Sequence, residues 1–88
     1  MGNQLGQAHT LNNLGEYHKK RGEWDEALNF YQQALILRRD LGDKVGLGET
    51  LDALGELYRM RGIWAEAVKT HEEAVQVWRE LAELQKSN

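Results

Sequence analysis

The sequence predicts an all-α fold, a helical-hairpin solenoid of two repeats with four antiparallel helices. Residues 2–41 repeat as residues 42–81, in register and without a gap, with fifteen identical positions. Apolar residues within each copy recur at the three- and four-residue spacing of a helix, whereas a strand would show alternation. A unit of this length is too short to bury a core alone, so a neighbouring copy must cover its apolar face.

Four helices follow from this pattern, near residues 4–20, 24–40, 44–60 and 64–85. The breaks within the two copies fall at Gly22 and Gly62, because glycine can adopt the left-handed conformation that ends a helix. Gly42 and Asp43 separate the copies. We expect a single domain over 1–88, with repeat one at 2–41, repeat two at 42–81, and a helix end and polar tail at 82–88.

Two groups of glycines lie elsewhere in the predicted helices. Gly15 and Gly55 are inside helices, where glycine costs about 1 kcal/mol relative to alanine. We interpret them as positions where the second helix of the same copy approaches too closely for a Cβ. Gly6, Gly46 and Gly48 lie at the starts of first helices, and we interpret them as residues that let the turn between copies adjust.

Composition narrows the class of function. The 88 residues contain no cysteine, which excludes disulfides, thiolate zinc sites and cysteine nucleophiles. A net charge of −3 lacks the positive potential that nucleic acid requires, so we expect no nucleic acid partner. No apolar run approaches the roughly 20 residues that span a bilayer, and the N-terminus lacks the features of a signal peptide. We expect a cytoplasmic protein with no membrane partner.

Residues of the types used in catalysis and metal binding do not form a recognisable catalytic or metal-binding motif. The sequence has no glycine-rich phosphate loop after a strand and no nucleophile elbow. It also has no pair of carboxylates in a recognisable catalytic motif. We therefore expect no enzyme activity and no cofactor. His9 and His18 would lie on opposite sides of one helix, and His71 lies in another helix, so we predict no metal site.

The joint spacing of small and large residues, present twice, resembles the tetratricopeptide repeat pattern. The residues that carry the resemblance are Leu14, Gly15, Gly22, Trp24, Glu26, Ala27, Tyr31 and Ala34, with Leu54, Gly55, Gly62, Trp64, Glu66, Ala67 and Ala74 in the second copy. The forty-residue period is similar to the longer variety of kinesin light chains and bacterial regulatory ATPases. The resemblance implies helix pairs stacked in a right-handed superhelix, whose first helices line a concave groove that receives peptides or partner helices.

The sequence departs from the family pattern in three respects. Arg39 and Arg79 stand where a proline usually follows the second helix, so these helices can continue for another turn. His71 replaces the large aromatic found at Tyr31. No additional polar-faced capping helix follows the second copy, which favours association with another chain.

The resemblance assigns the groove residue by residue. The peptide-binding residues would be His9, Asn12, Asn13, Glu16, Lys19 and Lys20 in copy one and Glu49, Asp52, Glu56 and Arg59 in copy two. An asparagine at the place of Asn13 often pairs with a peptide backbone in such repeats; the alternative is a solvated helix residue, and Ala53 takes this place in copy two.

Cations cluster at the ends of both first helices. They would either form a pocket for an acidic peptide or a free C-terminus, or simply match the helix dipole. We favour the dipole interpretation, because Glu16 and Glu56 lie one turn earlier and can neutralise these cations.

The last predicted helix carries a second apolar stripe beside its core-facing one. The stripe consists of Val68, His71, Val75, Trp78 and Ala82. The repeat itself does not require Trp78, because Arg38 is its counterpart in copy one. Either this ring folds over its own helix pair, or the stripe is an open solenoid end that another chain covers. We favour the second alternative and expect a homo-oligomer, a dimer formed through open ends or by helix-pair exchange across Gly42.

Together, these observations predict a protein-protein interaction module that binds a protein or peptide in its groove, as a fragment of a longer repeat array. The alternative is a self-assembling structural unit whose groove is unused. A sensor segment of a regulatory ATPase is a third class, and it rests on family analogy alone.

Overall fold

Four α-helices joined by short turns make up residues 3–86, the part of the chain that the computed structural model describes, and this part contains no strand. The helices are α1 (Gln4–Lys20), α2 (Trp24–Leu41), α3 (Lys44–Met60) and α4 (Trp64–Lys86). The predicted all-α fold of two helical hairpins is confirmed. Helices α2 and α4 each extend one residue beyond the predicted end. The predicted polar tail is helical as far as Lys86, and its last two residues, 87 and 88, lie outside the described residues.

Capping side chains and glycines set the helix ends. The side chains of Asn3 and Asp43 each accept a hydrogen bond of 3.0 Å from the backbone N–H three residues later, at the starts of α1 and α3. Gly42 ends α2 with a φ of 68°, and Gly22 and Gly62 have a φ of 74° in the turns inside the hairpins. Because a side chain is strained in this left-handed region, backbone conformation favours glycine at these three positions.

Helix α3 connects the two hairpins. Helices α1 and α2 pack along one another, as do α3 and α4, while α2 lies across α3 and α1 touches α3 over a smaller area. The backbone of α3 therefore approaches all three other helices, whereas that of α4 approaches α3 alone.

A hydrophobic cluster around Tyr31 lies where the hairpins meet. Tyr31 is fully buried and packs with Ala27 of its own helix and with Leu54 and Leu57 of α3. A Cβ at Gly15 would lie 2.7 Å from Cδ1 and Cε1 of the Tyr31 ring, closer than such contacts allow. The predicted close approach at Gly15 is therefore confirmed.

The same prediction is wrong for Gly55. A Cβ there would lie 3.7 Å from Thr70 Cγ2 and 3.9 Å from the carbonyl oxygen of Ala67, which is ordinary van der Waals contact. The physical reason is the residue that corresponds to Tyr31 in the second copy. His71 stands there, and its exposed side chain does not cover Gly55.

A second cluster, around Leu51, Ala74 and Val77, fills the other hairpin. The ring of Trp78 packs beside it, and a Cβ at Gly48 would lie 2.7 Å from that ring. A Cβ at Gly46 would similarly lie 2.8 Å from the side chain of the preceding repeat's Arg38. Gly48 therefore makes room for a side chain of a second helix, and Gly46 makes room for Arg38 and for the Asp43 side chain that caps α3. That these glycines let the turn between copies adjust stays a prediction.

Arg38 is buried between the two repeats, with 4% of its surface exposed. Its Nη1 donates to the carbonyl oxygen of Gly46 at 2.7 Å and to the hydroxyl of Thr50 at 3.1 Å. Carboxylate oxygens of Asp43 and Glu49 lie 3.7 and 3.8 Å from its nitrogens. Its Nε has no hydrogen-bond partner within residues 3–86. The interface between repeats is therefore partly charged.

Candidate protein-interaction surface

Two polar contacts hold the first helices of the repeats, α1 and α3, beside each other. Lys19 Nζ donates to Glu56 Oε1 at 2.9 Å and lies 3.2 Å from Glu16 Oε2. The Thr50 hydroxyl donates to Asn12 Oδ1 at 3.1 Å. Four residues that the family resemblance assigns to peptide binding are thus brought together, and they are engaged with other parts of the chain.

Hydrogen bonds outweigh partial burial in setting the charges of Glu16 and Lys19. Burial raises the pKa of Glu16, but hydrogen bonds from the Tyr31 hydroxyl and Lys19 outweigh it, so the pKa of Glu16 lies below its ordinary value. Burial lowers the pKa of Lys19, and hydrogen bonds to Glu56 and Glu16 raise it above its ordinary value. Burial and donation to Glu16 Oε1, at 3.0 Å, both raise the pKa of Tyr31. At neutral pH the contact therefore consists of a neutral phenol, a carboxylate and an ammonium.

Other predicted groove residues face solvent. His9, Asn13 and Lys20 share one side of α1, since they are four and seven residues apart. All three are exposed and make no side-chain hydrogen bond within residues 3–86. On α3, Glu49 and Arg59 are exposed, with ion-pair distances of 3.8 and 3.7 Å to their nearest partners. These five side chains are therefore available to a partner.

A surface groove of about 430 Å³ lies between α3 and α4 at the end of the array. Its lining residues are Leu51, Asp52, Gly55, Glu56, Arg59, Trp64, Ala67, Val68 and His71. The groove brings together three predicted peptide-binding residues and two predicted self-association residues. Trp64 and Val68 contribute large apolar side chains that are 62% and 57% exposed. We call this feature the α3–α4 groove.

The predicted self-association stripe is divided. Val68 and His71 line the α3–α4 groove, and Ala82 is exposed. The half-buried ring of Trp78 instead lies over Gly48, with its Nε1 donating to Asp52 Oδ2 at 3.0 Å. The ring therefore folds over its own helix pair, the alternative that we did not favour from the sequence. Val75 is also half-buried.

Arg38 joins the two repeats, a structural role that we did not predict from the sequence. We considered it only as the counterpart of Trp78, although its contacts join the repeats. One signal was available: Arg38 follows Ala34, Tyr31 and Ala27 by four, seven and eleven residues, so it lies on the buried face of α2. A cation on an apolar face at this spacing indicates a buried partner.

The histidines have separate environments. His18 stacks on Phe30, with ring centroids 5.2 Å apart, and its Nδ1 lies 2.7 Å from Glu23 Oε1. Within residues 3–86, no group of three or more histidine and carboxylate side chains is placed to hold a metal ion. Nor is any helix of this part of the chain both long and apolar enough to cross a membrane.

Paired helices that share their cores with the next pair define a solenoid of helical hairpins. A family model described as tetratricopeptide repeat matches residues 6–81. The chain therefore belongs to the tetratricopeptide repeat family. Proteins of this family generally mediate protein-protein interactions, and their repeats are typically non-catalytic. No curated protein matches the chain.

Proposed function

We propose that the chain binds another polypeptide across the exposed side of α1 and α3. The proposal rests on one observation: some polar side chains on this side join α1 to α3, and others are exposed. Lys19 and Asn12 fix α1 against α3, while His9 and Asn13 are exposed and make no side-chain hydrogen bond within residues 3–86. A surface that is held in place and still has unused polar groups suits a partner that supplies the missing hydrogen bonds.

Asn13 supplies the central contact of this proposal. Its carboxamide offers donors and an acceptor side by side, which matches the C=O and N–H of an extended backbone and requires no particular peptide sequence. Lys20 lies on the same side of α1, whereas Glu49 and Asp52 place exposed carboxylates on α3. A partner with an acidic segment over α1 and a basic segment over α3 would complement this pattern.

The proposal assigns no catalytic role to these residues, and no nucleic acid or membrane is among the proposed partners. The cytoplasmic location and membership of the kinesin light chain or regulatory ATPase variety remain predictions, as does the origin of the chain in a longer array.

The test uses a random peptide library displayed on phage, selected on the parent chain. Selected peptides should bind Asn13→Ala about tenfold more weakly, because two hydrogen bonds together are worth about 1.4 kcal/mol or more. Asn29→Ala is the matched control, since Asn29 is an exposed asparagine on α2. It should bind like the parent in a fluorescence anisotropy titration.

Two outcomes would contradict the proposal. Selection could yield no peptide that binds the parent chain, or the selected peptides could bind Asn13→Ala and Asn29→Ala equally well. Peptides that instead lose affinity with Val68→Glu would place the binding site in the α3–α4 groove.

A further inference from the structure

The surfaces at the two ends of the helix array correspond to the two surfaces that meet between the repeats inside the chain. The residues that line the α3–α4 groove have counterparts forty positions earlier in the sequence. Those counterparts lie on the face of the first hairpin that α3 covers. Trp64, Val68 and His71 correspond on that face to Trp24, Leu28 and Tyr31, which pack against α3. The α3–α4 groove is therefore a receiving face that no helix covers within residues 3–86.

The opposite half lies on α1. In α3, Leu54 and Leu57 are 4% and 1% exposed, because they insert into the Tyr31 cluster. Their counterparts on α1, Leu14 and Tyr17, are 36% and 52% exposed. Helix α1 thus presents the inserting side chains and α4 the receiving face, at opposite ends of the same chain.

We propose that a second copy of this chain docks head to tail, with the α1 face of one copy in the α3–α4 groove of the next. The arrangement would repeat between chains the contact that joins the two repeats within one chain.

The charges at the two ends are matched to each other, and this favours a second copy over a further repeat of the internal type. Inside the chain, buried Arg38 faces the carboxylates of Asp43 and Glu49. At the receiving end Trp78 stands in place of the cation, and Asn3 and His9, at the start of α1 and within it, stand in place of the two carboxylates. The cation and the two carboxylates of the internal contact are therefore replaced together, so docking leaves none of these charges without its partner.

The sizes of the facing side chains also differ in a matched way between the internal contact and the open ends. Inside the chain the receiving face carries the large ring of Tyr31, and the inserting helix carries Leu57. At the open ends the receiving face has the smaller His71, and the inserting helix has the larger Tyr17. The bulky aromatic side chain has changed sides, so the combined volume is similar.

One internal ion pair also has a counterpart across the proposed contact. Lys19 binds Glu56 of the following repeat. Arg59 and Glu16 occupy the corresponding positions, and Arg59 is exposed with its closest carboxylate at 3.7 Å. In the stack, Arg59 of one copy would meet Glu16 of the next.

Because the contact joins two different faces, a dimer of this kind leaves one face of each type open and can add further copies. The weight-average mass from light scattering should therefore rise with concentration and pass that of a dimer between low micromolar and about 1 mM. Leu14→Glu blocks only the inserting face, and Val68→Glu blocks only the receiving face. Each variant alone should lose association by about tenfold or more, because docking would bury an unpaired carboxylate.

Mixing these two variants is the decisive step. Each retains the face that the other has lost, so an equimolar mixture should form a one-to-one heterodimer and nothing larger. Ile36→Glu is the matched control, because Ile36 is an exposed apolar residue of α2 outside both faces. It should associate like the parent. Far-UV circular dichroism verifies folding, and Tyr17→Glu replaces Leu14→Glu if that variant loses helix content.

A charge rescue provides an independent arm. Trp78→Arg places a cation in the receiving face with no carboxylate opposite, and association should weaken. Adding Asn3→Asp recreates the internal pair of Arg38 and Asp43 between chains, and association should recover.

Three outcomes would overturn the proposal. The parent could remain monomeric at the highest concentration, or the mixture of blocked variants could remain monomeric. Dimers of Leu14→Glu alone would instead indicate a symmetric contact between α3–α4 grooves or an exchange of helix pairs.

Discussion

Replacing Gly15 and Gly55 by alanine should change stability in opposite directions, although the two glycines occupy equivalent positions. At Gly55 a Cβ fits, and helix propensity alone should raise the free energy of unfolding by about 1 kcal/mol. For a domain of this size, that gain corresponds to an increase in Tm of roughly 4–8 °C.

The same gain is available at Gly15, but the added Cβ would lie 2.7 Å from the ring of fully buried Tyr31. Overpacking of this kind costs about 1–3 kcal/mol. We therefore expect Gly15→Ala to lower the free energy of unfolding by about 1 kcal/mol, which separates the two variants by about 2 kcal/mol.

Urea unfolding monitored by far-UV circular dichroism measures both changes, at low micromolar protein so that self-association does not contribute. An unchanged m-value would show that the variants differ from the parent in stability rather than in the extent of unfolding. Repeating Gly15→Ala in a Tyr31→Leu background tests the cause, because the clash should disappear with the ring. Gly15→Ala that is as stabilising as Gly55→Ala, or a coupling near zero with Tyr31, would refute the packing explanation.

Two further predictions concern the polar contacts between repeats. Arg38→Ala should destabilise the chain by about 3 kcal/mol in urea unfolding, because it leaves the Gly46 carbonyl and Thr50 hydroxyl without their donor. Arg38→Met removes the same donor but fills the space, so it should cost less, and equal losses would mean that filling the space contributes nothing. The lowered pKa of Glu16 means that its stabilising effect is present above the unfolded pKa of about 4.3 and is lost as pH falls through the folded pKa. Thermal unfolding from about pH 7 to pH 3 should therefore show a smaller loss of stability for Glu16→Gln than for the parent, and parallel curves would contradict this.

The helix bounds and the core of the first hairpin could be predicted because they follow from local pattern. Glycine and the three-to-four-residue spacing specify a helical hairpin wherever they occur, so α1 and α3 match the expected ranges. The similarity of the copies also caused an error. Gly55 is identical to Gly15, but its environment depends on the ring at a different position, and His71 does not provide that ring.

The predicted groove residues lie on the expected helices, but their availability could not be read from the sequence. Lys19 and Glu56 are thirty-seven residues apart, and their contact depends on how far α1 and α3 are displaced along each other. The same is true of Trp78 and Asp52, which are twenty-six residues apart. A helical pattern identifies the face of a residue, whereas the helix-to-helix offset decides whether its polar group meets another residue of the chain.

The central position of α3 has a consequence for how the chain opens. Its side chains belong to both clusters, Leu54 and Leu57 to one and Leu51 to the other, whereas the backbone of α4 approaches α3 alone. Helix α4 can therefore detach while α1, α2 and α3 keep Tyr31 covered. Detachment of α3 would instead expose both hydrophobic clusters to solvent. Amide protons of α4 would then exchange with solvent through a local opening, and those of α2 only through global unfolding.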